Sequence, residues 1–234
     1  MTTTETTHQP IRRAALIAGA ALLALAVLSG LANFGVMENL VTEGDAEKTA
    51  HDIREAGALF RYGVAGFFLT AILDVVAAWA LLVFFAPVHE GLATLAAWLR
   101  AVHAGVFTVA IAQLAAVPRL LAAGTTDQLH AEALSKINTF HEIWDGALGL
   151  FGVHLALLGY LAYKSRYVPT WVGVLLVIAG LGYLVDTLGA LLVPGYTFEV
   201  SVFTFVGEAV LMIWLVVKGR SVTVNGRTPA SSIR

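Results

Sequence analysis

The chain has 234 residues, 58% of them hydrophobic and only 13% charged, with a formal net charge of -2 and no cysteine. A soluble domain carries about a quarter charged residues, so most of this surface is suited to lipid. The slight negative charge leaves no footprint for nucleic acid. The lack of thiols excludes disulfides, thiolate metal centres, iron–sulfur clusters and cysteine nucleophiles.

Six long apolar stretches follow one another at 14–36, 58–85, 92–117, 140–163, 171–193 and 200–217. Each is long enough to cross a hydrocarbon core of ~30 Å as a helix. The expected fold is all-α: a six-helix transmembrane bundle over residues 11–220, with short interfacial helices in the outer loops. Residues 1–10, rich in Thr, and residues 221–234 read as disordered tails. Arg12 and Arg13 precede an apolar run too long for a signal-peptide core, so the first stretch reads as a retained helix.

Basic residues near the ends of the stretches set orientation. With both termini inside, Arg12, Arg13, Lys164, Arg166, Lys218, Arg220, Arg227 and Arg234 fall on the inner side. Lys48, Arg54, Arg119 and Lys136 fall on the outer side. The excess predicts a multi-pass protein of the plasma membrane with both termini cytoplasmic. Two outer segments look helical. In 44–57, Asp45 is the expected N-cap, with Ala46, Ala50, Ile53 and Gly57 on one face. The second opens at Thr125-x-x-Gln128, a capping-box pattern, and carries Leu129, Ala133 and Ile137 at helical spacing. The connections 87–91 and 164–169 are short, so the helices they join are antiparallel neighbours.

A charge at the centre of a spanning helix costs roughly 2.5–3.5 kcal/mol even on the lenient insertion scale. Such groups should therefore face protein or water. Asp74 shares its helix face with Gly63, Ala71, Ala77 and Ala78, opposite Leu69, Ile72, Val76 and Trp79. Asp186 lies beside Ala179, Gly182, Gly189 and Ala190. Glu208 lies beside Ser201 and Thr204. Arg100 and His103 share one face of the third helix. His154 lies opposite a small face of the fourth helix made by Gly149, Gly152, Ala156 and Gly159. Counting residues from the span ends places Asp74 and Arg100 at nearly equal depth in adjacent antiparallel helices, which predicts a buried ion pair. Arg61, His141, Asp145 and Asp186 should lie in the outer third.

The candidate polar core or binding set is thus Arg61, Asp74, Arg100, His103, His154, Asp186 and Glu208. His141 and Asp145, four apart, could present two metal ligands from one helical face, completed by Asp186 and Glu208. A hydrogen-bonded structural network is the competing use of the same four. No phosphate loop, dinucleotide fingerprint, zinc-protease motif or nucleophile elbow occurs, so no cofactor is called for and no catalytic residue is indicated. The expected partner is the lipid bilayer, without nucleic acid; the sequence specifies neither a small-molecule ligand nor an oligomeric state. Three uses of the polar core stand open: an integral membrane protein of undefined role, a small-molecule or proton-coupled carrier or sensor, and an intramembrane metal-dependent enzyme.

Several strings together resemble one bacterial membrane family. They include Gly44-Asp45-Ala46, Leu59-Phe60-Arg61, Leu73-Asp74-Val75, Leu99-Arg100 and Phe151-Gly152-Val153-His154-Leu155. Further along come Ala179-Gly180-Leu181-Gly182-Tyr183-Leu184-Val185-Asp186 and Gly207-Glu208. In this order they are similar to the family known as domain of unknown function 4386. The resemblance implies a multi-helix membrane protein, supplies no activity, and marks Arg61, Asp74, Arg100, His154, Asp186 and Glu208 as family-like polar positions. The chain departs from its relatives at Phe140-His141-Glu142-Ile143-Trp144-Asp145, where they tend to be rich in Asn and Tyr.

Overall fold

The computed structural model describes residues 5–222. Helix α1 (Glu5–Ala32) runs on through a π turn (Asn33–Met37) and one last turn (Glu38–Leu40). Then come α2 (Ala46–Glu55), α3 (Gly57–Ala122), α4 (Asp127–Lys164), α5 (Thr170–Leu192), the short α6 (Val200–Thr204) and α7 (Val206–Lys218). Five of the helical stretches are long and apolar enough to cross a membrane. No strand occurs among the described residues.

The 66-residue α3 is two helices in one trace, because His89 breaks it with φ −161° and ψ 102°. Pro87 lacks an N–H and crowds the preceding turn. His89 then turns the chain, and its Nδ1 accepts from Leu92 N at 3.2 Å, capping the second arm. The arms 57–88 and 90–122 fold back on each other, making six membrane-length segments in all. Helix α1 packs on α3 and α7, α3 on α4, α4 on α5, and α5 on α7, which closes a ring.

Three features differ from the sequence expectations. The tail expected over 1–10 is helical from Glu5. Pro10, the sixth residue of this helix, leaves the carbonyl four residues before it without its helical partner. The expected separate interfacial helix near 125–137 instead continues without a break into the fourth span as α4. Residues 129–140 contain no Gly or Pro to stop it, and the cap is Thr126, whose hydroxyl accepts from Leu129 N at 3.4 Å, rather than Thr125. The sixth apolar stretch divides at Phe205 into α6 and α7. The tail expected over 221–234 lies, from residue 223 onward, outside the described residues. Asp45 does cap α2, accepting from Lys48 N at 2.9 Å. That helix buries Thr49, Ala50 and Ile53.

The apolar interior has two parts. The outer one is aromatic, built from Phe60, Phe67, Phe107 and Phe140 with Trp144 against them. The inner one gathers Phe84, Phe85, Leu155, Leu158, Leu176 and Leu215. Alongside the inner part, α4 and α5 meet backbone to backbone. A Cβ at Gly159 would stand 2.7 Å from Gly173 O, and one at Gly152 would stand 2.7 Å from Gly180 O. The two glycine pairs form a seam along which small residues let antiparallel helices gain dispersion contacts.

Filling that seam should be costly, because the atoms in the way are backbone and cannot rotate aside. Gly159→Ala should lower stability by about 1–3 kcal/mol, the usual range for overpacking. Leu188→Ile, on the outward face of α5 where Leu188 is half exposed, should be nearly silent. Unfolding titrations in mixed micelles check the pair, and equal losses would contradict the seam.

Candidate functional site

A polar layer lies between the two apolar clusters. Its centre is Arg100, only 1% exposed. The guanidinium donates from Nε (2.9 Å) and Nη2 (2.6 Å) to the same oxygen of Asp74, Oδ1. Asp74 sits on the first arm of α3 and Arg100 on the second, so the His89 turn sets their register. The small neighbours Ala77, Ala78, Ala96 and Ala97 are all buried and let the arms approach.

His154 of α4 completes the layer. Its Nδ1 donates to Ala96 O at 2.8 Å, and its Nε2 lies 3.3 Å from Arg100 Nη1. A guanidinium has no acceptor, so Nε2 must offer its lone pair and the ring is the neutral Nδ1–H tautomer. His103 donates from Nδ1 to Ala147 O at 3.2 Å and places Nε2 3.8 Å from Asp74 Oδ2. Phe151 lies under the guanidinium with its centroid 5.1 Å from Arg100 Cζ, within the range of a cation–π contact. Glu208 of α7 brings Oε1 to 4.0 Å from Arg100 Nη2. This separation lies outside hydrogen-bond range, and 23% of the Glu208 side chain stays exposed. Asp74, Arg100, His103, His154 and Glu208 are thus brought together.

Asp186, Arg61, His141 and Asp145 do not join them. Asp186 turns to the loop that follows α5. It accepts from Val200 N (2.9 Å), Ser201 N (2.7 Å) and the Tyr196 hydroxyl (2.9 Å). Those bonds satisfy the first amides of α6, so this carboxylate is a cap. Partial burial and the bond to Asp186 raise the Tyr196 phenol above the ordinary tyrosine range. Arg61, His141 and Asp145 are exposed. The alternative metal set of His141, Asp145, Asp186 and Glu208 does not converge: among the described residues, no three His, Asp or Glu side chains stand together as ligands.

A cavity of about 600 Å³ opens at the end of the bundle opposite the 165–169 turn, between α4, α5 and the loop 193–199. Glu142, Asp145, Asp186 and Glu199 line it, together with Tyr183, Tyr196 and Phe198, and among the described residues no basic one does. Tyr183 links this cavity to the polar layer. Its ring meets Phe151 edge-on at 5.6 Å, and its hydroxyl lies within electrostatic reach of Glu208, Asp186 and Arg100.

Sequence reasoning passed over Tyr183, although it stands in the Gly-Tyr-Leu-Val-Asp string. It also passed over an outer clasp. Arg54 donates to Leu121 O at 3.3 Å and to Gly124 O at 2.5 Å, tying down the carbonyls that end α3. Its Nη1 also lies 3.0 Å from His130 Nε2. No pattern in either loop marks these partners, which are 67 or more positions apart.

Breaking a buried pair from one side leaves a lone charge and typically costs about 3–5 kcal/mol. Asp74→Asn and Arg100→Gln should each destabilise on that scale, and the double variant should recover part of the loss. Melting in detergent gives the cycle, and strictly additive losses would show that the two groups are not coupled.

Comparison with known proteins agrees with the strings noted above. The family model for Domain of unknown function (DUF4386) matches residues 17–219. An uncharacterised protein of Archaeoglobus fulgidus is 36% identical over 168 residues, covering 72% of this chain and 90% of that protein. No solved structure matches. All the residues of the buried polar layer fall within the matched segment, and the chain belongs to the DUF4386 family.

Proposed function

We propose that this integral membrane protein crosses the plasma membrane six times, with both termini cytoplasmic, and acts as a carrier or sensor for a small organic cation. The observation that carries the reading is the outer cavity, which reaches from the end of the bundle down to Tyr183, against the buried Arg100 layer. Its four lining carboxylates, without a basic residue, concentrate cations. The faces of Tyr183, Tyr196 and Phe198 suit an alkylammonium group. A structural network alone accounts for Asp74 and Arg100 but gives no reason for a water-accessible, acidic, aromatic-walled cavity beside it. The eight-to-four bias of basic residues supports the orientation.

The cysteine-free chain makes the test direct. Ala190→Cys and Thr187→Cys place a thiol in the cavity wall, and Val185→Cys places one on the half-exposed outward face of α5. In intact cells, a membrane-impermeant trimethylammonium thiosulfonate should label positions 187 and 190 roughly tenfold or more faster than its sulfonate counterpart. Tetraalkylammonium ions should slow that labelling, and position 185 should stay unlabelled. Equal rates for the two reagents would sink the cation reading. No labelling from outside would sink the accessible cavity or the orientation.

A further inference from the structure

We infer that a second cavity, at the opposite end of the bundle, binds the phosphate headgroup of an anionic phospholipid. This cavity of about 470 Å³ is formed by the connection between α4 and α5 and by the end of α7. Among the described residues, its lining holds two cations, Arg166 and Lys218, with Trp214, Ser221 and Val222, and no carboxylate. Both cations are exposed. Both reach the cavity from elements fixed in place. Ser165, whose hydroxyl accepts from Val168 N at 3.1 Å, shapes the turn carrying Arg166. Tyr167 donates its hydroxyl to Phe84 O at 2.7 Å, anchoring the same turn to the inner apolar cluster. On the far side, Arg12 Nε donates to Val222 O at 2.9 Å, which holds the 219–222 segment against α1.

The surroundings favour a lipid over a free anion. Tyr160, Tyr163 and Trp171 are outward-facing and about half exposed near the same end. Lys164 lies over the rings of Tyr160 and Tyr163 at 5.7 and 6.0 Å. Exposed Tyr and Trp beside snorkelling Lys mark the headgroup level of a bilayer. The cavity therefore opens where lipid phosphates lie. Its Trp214 gives the glycerol and upper acyl region an apolar wall, while Arg166 supplies a fork suited to phosphate oxygens. A zwitterionic headgroup would bring its own ammonium against Arg166 and Lys218, so the site selects net negative lipids.

The test is thermal melting of the full chain in detergent with three additives at equal concentration: dioleoylphosphatidylglycerol, dioleoylphosphatidylcholine and inorganic phosphate. The melting temperature should rise saturably with phosphatidylglycerol alone. Arg166→Gln with Lys218→Gln should weaken the apparent affinity roughly twenty-five-fold, about fivefold per cation. Arg166→Lys with Lys218→Arg should keep most of it and shows that the site tolerates substitution. Arg13→Gln with Lys164→Gln removes the same charge from the same end and should leave the affinity unchanged. Equal stabilisation by both lipids would overturn the proposal, as would an equal loss in the control variant. Stabilisation by inorganic phosphate to the same extent would make the cavity a free-anion site instead.

Discussion

The desolvation of one guanidinium constrains most of this fold. Arg100 cannot shed its proton, and taking such an ion out of water costs several kcal/mol even after relaxation. Each of its polar contacts must therefore be supplied by the protein. Asp74 supplies the countercharge, His154 a lone pair, and Phe151 an electron-rich face. Each supplier is itself held: His154 by Ala96 O, His103 beside Asp74 by Ala147 O. These bonds tie the two arms of α3 to each other and the second arm to α4, so the polar layer fixes helix register between two apolar clusters that could otherwise slide. Apolar contacts in lipid give little preference for one register. Hydrogen bonds of fixed length do.

The spans, the turn near residue 89 and the Asp74–Arg100 pair were legible in the sequence because each follows from local counting. Apolar run length gives a span, a short connection gives an antiparallel neighbour, and equal depth from the turn gives the pair. Counting fails where the chain leaves regular helix. Asp186 has the right depth and small neighbours to face inward, yet three donors ten to fifteen residues later, one in the loop and two at the start of α6, claim its oxygens. The first turn of α6 lacks other partners for its amides, and a carboxylate is the strongest acceptor nearby. Likewise, hydrophobic patterning marked 129–137 as a surface helix but could not show that it stays in line with the span that follows.

Glycine positions were legible only as a face, not as a seam. Gly149, Gly152, Ala156 and Gly159 mark one side of α4, and Gly182 and Gly189 mark one side of α5. Nothing local pairs Gly152 with Gly180 or Gly159 with Gly173. That pairing depends on α4 and α5 running antiparallel, with the turn at 165–169 setting their offset. Ala190, expected in the packed face of α5, is exposed in the cavity wall. The seam ends before reaching it.

Where the seam ends also explains why the outer cavity lies where it does. From the 165–169 turn to Gly152 and Gly180, the α4 and α5 backbones touch. Beyond that point Gly149 meets the side chain of Thr187 instead, and the helices must diverge. The next facing positions are small: Gly146, whose missing Cβ would touch nothing, and Ala190. They leave a wedge unfilled. The loop 193–199 lines its mouth; the Tyr196 bond to Asp186 holds it there, and Tyr196 lies over Gly189. The apex of the wedge falls at Tyr183, one step from Phe151 and the guanidinium. Close packing in the inner half thus places an acidic, aromatic-walled opening over the most strongly charged point of the interior, with the edge-to-face Tyr183–Phe151 contact as the partition between them.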